Sequence, residues 1–156
     1  MRSTAISVTA HSESVERTSG PTPGVWRAWR TGLASVGVAL SANLVVLGLA
    51  RLAGADMVVQ PTQQAAAITI GVGAVAATVA TPMLVATFLL LVVRRWGARA
   101  WRALATTGLV IGVVTVPAPF TVVAEGGTQA ALASMHVITG LVWFVVVRRA
   151  AARAEA

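Results

Sequence analysis

Four polar side chains lie inside long apolar runs of this sequence: Asn43, Thr81, Thr115 and His136. Strongly polar groups are costly in hydrocarbon, so each is a candidate site by default. Their spacing is shared. Arg30 to Asn43, Thr81 to Arg94, Arg102 to Thr115 and His136 to Arg149 are each 13 residues apart. At about 1.5 Å per helical residue, all four sit about 20 Å from a flanking arginine layer. The expectation is one polar layer, with Asn43 and His136 hydrogen-bonded across helices and the two threonine hydroxyls nearby.

Two chemistries fit such a layer. One is a structural clasp that fixes helix register, worth about 0.6–2 kcal/mol per contact in a membrane. The other is a proton relay or ligand site, because imidazole titrates near neutral pH. No Asp or Glu stands inside the apolar runs as a proton partner, which favours the clasp. A second set of charges, Arg51, Asp56 and Glu125, lies beyond the other ends of the runs. Arg51 is expected to pair with Asp56 in its own loop or with Glu125 across the molecule, or the three form a ligand-binding mouth.

The elements that must hold these residues follow from hydropathy. Hydrophobic residues make up 56% of the 156 and charged residues 11%, where a soluble domain carries about 25% charged. A chain this short has too little interior to hide that much apolar surface from water. A span of about 30 Å of hydrocarbon needs about 20 apolar residues. Four stretches qualify, at about 31–50, 65–93, 103–121 and 129–147. Met57 to Gln64 precedes the second as an extended or interfacial loop, with its helix beginning near Ala65. Pro82 falls mid-helix and is expected to kink it, with Pro117 and Pro119 acting similarly near the end of the third.

Net charge is +7, and all twelve basic residues are Arg. They flank the apolar runs and form no solvated stripe, which argues against nucleic-acid binding. Eleven fall on one side of the implied topology and only Arg51 on the other. Arginine-rich loops stay cytoplasmic, so the expected fold is all-α. It is a transmembrane four-helix bundle, up-down-up-down, with N and C termini cytoplasmic, in the plasma membrane. Trp29, Arg30, Arg94, Arg95, Trp96, Trp101, Arg102, Arg148 and Arg149 are expected as inner anchors at the headgroups of an anionic leaflet. Trp26 and Trp143 are read as members of the same aromatic belt.

Residues 1–25, rich in Ser, Thr and Glu with Pro21 and Pro23, read as a disordered cytoplasmic arm, and 150–156 as a short tail. The 20-residue first run exceeds the usual signal-peptide core. It reads as a signal anchor, although Ala53-Gly54-Ala55 fits a cleavage pattern. Gly108 and Gly112, Gly37 and Ser41, and Gly73 and Ala77 are small pairs at helical spacing that let helices approach closely, chiefly within one bundle.

Several chemistries are excluded. Cysteine is absent, removing thiolate catalysis, disulfides and Cys-ligated metals. A bis-histidine haem is unsupported, since His11 lies in the arm and leaves His136 alone. Gly71-Val72-Gly73 is a helix fragment, not a phosphate loop. No metal, cofactor or enzymatic activity is expected.

One resemblance adds to this reading. Asn43 is followed by Leu-Val-Val-Leu-Gly-Leu-Ala-Arg-Leu-Ala-Gly at Leu44–Gly54, then Gly-Val-Gly-Ala-Val at Gly71–Val75. An arginine-rich loop follows, and Ala-Ser-Met-His-Val stands at Ala133–Val137. Over about residues 28–149 the chain resembles a family of uncharacterised four-helix membrane proteins of actinobacteria. The resemblance implies a four-span bundle and no activity or cofactor. Two functional readings therefore stand. The favoured one is a structural or accessory protein with a membrane-protein partner or a second copy of itself. The alternative is a small transporter, channel or lipid-binding protein using the polar layer. A cavity reaching Asn43 and His136 separates them from a layer packed dry.

Overall fold

The structure is a computed structural model and describes residues 23–155. The proposed disordered arm therefore lies outside the described residues, apart from its last three. Helix dominates the described chain. α1 spans Val25–Leu52, α2 Val72–Val93, α3 Gly97–Val114 and α4 Gly126–Ala152. Three short strands, β1 (Val58–Gln60), β2 (Ile68–Thr69) and β3 (Val123–Ala124), occupy the connections.

Three segments are long and apolar enough to cross a membrane: Val25–Leu52, Val72–Thr121 and Gly126–Ala152. The middle one contains both α2 and α3. α2 and α3 are separated by one 3-10 turn, Arg94–Trp96, followed by Gly97 at φ 74°. That left-handed geometry favours glycine, because a Cβ would crowd the following carbonyl. The break reverses the chain. Antiparallel β1 pairs with β2, which leads into α2, and with β3, which follows α3. The start of α2 and the end of α3 thus reach the same small sheet.

The opposite end gathers the arginines. The Arg27 guanidinium donates to the Arg153 carbonyl at 3.2 Å, and Arg102 pairs with Glu155 at 2.8 Å. The start of α1, the start of α3 and the end of α4 therefore meet there. α1 packs along α2 and α4, and α4 packs along α3, while α2 and α3 touch only lightly. Large apolar side chains remain exposed on every helix, including Val45 (60%), Phe88 (61%), Val114 (70%) and Leu141 (49%). In water so much continuous apolar surface would drive association.

Element boundaries differ from expectation in two places. α2 starts at Val72, not Ala65, because the backbone at Ile68–Thr69 pairs with β1 and Gly71 forms the N-terminal boundary. Hydropathy alone cannot separate an apolar strand from a helical start. α3 ends at Val114, before Pro117. Pro117 and Pro119 fall in a turn and a second 3-10 segment, Ala118–Thr121, so they end the helix instead of kinking it. Pro82, by contrast, sits inside an uninterrupted α2.

A lateral cavity between two helices

Close approach on one side opens space on the other. Gly112 of α3 lies directly against Gly140 of α4, where a Cβ would stand 2.9 Å from the Gly140 Cα. Gly108 accommodates the Trp143 indole, whose Nε1 donates to the Leu104 carbonyl at 3.1 Å. These contacts hold α3 on α4. α2 is held on α1 instead, with Thr87 packed over Gly32. α2 and α3 are thus secured to different partners, and a cavity of about 570 Å³ lies between them.

Its walls are almost wholly apolar. Pro82 and Met83 contribute from α2, Ile111 from α3 and Met135 from α4, with Trp143 at the arginine-rich side. Val59, Ile70 and Val122, in or beside the strands, close the sheet end. Four polar side chains reach it: Thr78, Thr115, His136 and Thr139. The Thr78 and Thr115 hydroxyls are occupied with carbonyls of their own helices, Ala74 and Ile111, both at 2.8 Å. His136 Nδ1 lies 2.7 Å from the Leu132 carbonyl. A carbonyl only accepts, so Nδ1 carries a proton, and in the tautomer with that single proton Nε2 is an acceptor.

The four expected layer residues are not one layer. Asn43 is fully buried and donates through Nδ2 to the Ala39 carbonyl at 2.7 Å and to Thr139 Oγ1 at 2.9 Å. Its cross-helix partner is therefore Thr139, and not His136. Thr115 and His136 share the cavity, while Thr81 is exposed and is not part of its lining. Counting residues from an arginine gives depth along a helix but not direction around it. Thr139, three residues beyond His136, shares its helix face and escaped the depth count.

The second charge set also rearranges. Arg51 meets neither acid; its guanidinium donates to the Ile70 carbonyl at 3.1 Å. Arg102–Glu155 is the ion pair among the described residues. Asp56 instead ties the sheet to α4. Its Oδ1 accepts from the Val58 N–H at 3.0 Å and from the Thr128 hydroxyl at 2.9 Å, and Thr128 Oγ1 accepts from the Met57 N–H. The Asp56 N–H donates to Glu125 Oε2 at 3.2 Å. The bond from Val58, then that from Thr128, holds the Asp56 carboxyl below the ordinary carboxylate range.

The anchors divide. Trp26, Trp29 and Trp96 are exposed among the arginines, with the Arg95 guanidinium 4.4 Å from the Trp96 ring centre. Trp101 is a correction: it is fully buried, as Trp143 nearly is. Both rings turn into the helix contacts, and Trp101 Nε1 finds no acceptor among the described residues. Arg30, Arg95, Arg148 and Arg149 are exposed, and Arg94 is half-buried.

A helical protein with membrane-length apolar segments and an apolar lateral cavity is the class that the fold defines. The chain matches, over residues 23–153, a family of unknown function, DUF6069, and belongs to it. No curated protein and no solved structure matches it.

Proposed function

We propose that this is a plasma-membrane protein of four spans, both ends cytoplasmic, that binds an apolar lipid-type molecule between α2 and α3. At about 1.5 Å per residue α2 and α3 are about 33 and 27 Å long, so each matches a hydrocarbon thickness. The arginine-rich end then faces the cytoplasm and its anionic leaflet. The observation that carries the ligand reading is the apolar-walled cavity of about 570 Å³, placed where α2 and α3 touch only lightly. Small-molecule sites have this character: apolar walls with a few polar groups to orient the occupant. Asn43, by contrast, is packed dry and acts as the register clasp.

A second reading, a structural or accessory subunit, draws on α1. Gly37 and Ser41 lie exposed there, and Gly37 has nothing within 4 Å of a built Cβ. Such a face suits a partner helix.

Native mass spectrometry from nanodiscs tests the ligand reading. Wild type should retain a bound lipid-sized mass that Thr78→Trp loses. Thr78 is exposed and bonds only its own helix, so this change fills the cavity without cutting a tertiary bond. Equal ligand-free spectra for both proteins would exclude the reading.

A further inference from the structure

The polar groups of the cavity specify a head group. We propose that its occupant is a neutral amphiphile carrying a free hydroxyl, a long-chain or isoprenoid alcohol in chemical class, with that hydroxyl seated between His136 and Thr139. The inference rests on the lipid-binding reading above and names its ligand chemistry.

Two hydrogen-bond roles lead to it. His136 Nδ1 is committed as a donor to the Leu132 carbonyl, so the Nε2 edge of that tautomer offers a lone pair. Thr139 Oγ1 accepts from Asn43, whose amide orientation is fixed because the same nitrogen must also serve the Ala39 carbonyl. Thr139 therefore keeps its own proton, and that proton has no acceptor among the described residues. The two residues stand three apart on α4 and both line the cavity. A site that offers one acceptor beside one donor complements a hydroxyl, which both donates and accepts. A ketone or ether oxygen only accepts and leaves His136 Nε2 unpaired.

The remaining walls agree. Among the described residues no Arg, Asp or Glu lines the cavity. A phosphate or ammonium head would enter apolar surroundings without a counter-charge, at a large desolvation cost.

The test uses full-length protein in nanodiscs and a diazirine-bearing hexadecanol. Photolabelling should map to peptides of α2 and α3 that border the cavity. Unlabelled hexadecanol should compete at least about tenfold better than its methyl ether, the difference expected for one lost hydrogen bond, and better than hexadecyl phosphate. His136→Leu should keep the labelling but erase the alcohol–ether difference, and His136→Gln, which restores an acceptor, should recover part of it. Equal competition by alcohol and ether at a labelled cavity would overturn the hydroxyl proposal while leaving the lipid-binding reading intact. Stronger competition by the phosphate would overturn it too. Absence of cavity labelling would instead overturn the lipid-binding reading itself.

Discussion

Substituting Gly112 by alanine should force α3 and α4 apart. The added methyl would stand 2.9 Å from the Gly140 Cα, 2.9 Å from the His136 carbonyl oxygen and 3.3 Å from the Gly140 nitrogen. All three are backbone atoms, which cannot rotate away as a side chain would. Overpacking of this kind costs about 1–3 kcal/mol. Alanine also improves helix propensity, by about 0.5–1 kcal/mol in water and less in a bilayer. Gly37→Ala supplies the control, since its methyl meets nothing within 4 Å. Both variants share the propensity gain, so their difference isolates the clash and should be about 1–3 kcal/mol. Reversible unfolding in mixed micelles, driven by added SDS, measures it. Equal stabilities for the two variants would refute the claim that the Gly112–Gly140 contact holds α3 in place.

A double-mutant cycle of Asn43→Leu with Thr139→Val should report a coupling of about 0.6–1.7 kcal/mol, and the cycle of Asn43→Leu with His136→Leu close to none. The reverse order would restore the Asn43–His136 clasp. Trp143→Phe should destabilise more than Trp101→Phe by about 1 kcal/mol, because only the Trp143 indole has an acceptor to lose; unfolding midpoints in detergent decide this. Asp56 has a carboxyl pKa lowered by folding, so its contribution is complete above the ordinary value of about 3.9 and fades as pH falls through the lowered one. Protection of the Met57 and Val58 amides, exchange taken relative to the intrinsic rate at each pH, should fall in that acid window in wild type, and already at neutral pH in Asp56→Ala. Identical exchange in the two proteins at neutral pH would remove Asp56 from its structural role.

How far the fold can be read without coordinates depends on which physical quantity is local. Apolar length is local, and it places α1 and α4 and the arginine-bounded turn between α2 and α3. The proline effects are also local, yet they ended α3 while leaving α2 continuous. Pro117 has Pro119 and the turn at its side, whereas Pro82 is embedded in apolar helix whose packing re-supports it. The small sheet was only half legible. Met57 to Gln64 reads as an extended or interfacial loop, but the partners of Val58–Gln60 lie nine and more residues away, and strand pairing is a property of two segments.

For the site, sequence established that His136 and Asn43 are polar groups inside apolar runs, and that no Asp or Glu shares those runs. It could not say which way they point. In a water-soluble helix the apolar stripe marks the packed face; in α2 and α4 outward-facing and helix-facing positions are equally apolar, so the stripe vanishes. Direction around the helix was set by tertiary packing: Gly112 on Gly140, Thr87 over Gly32, and Asn43 on Thr139. Those contacts drew Trp101 and Trp143 inward and left a cavity between α2 and α3, with His136 on its wall. Composition determined the solvent that this protein folds in, and helix rotation alone decided what its polar residues meet.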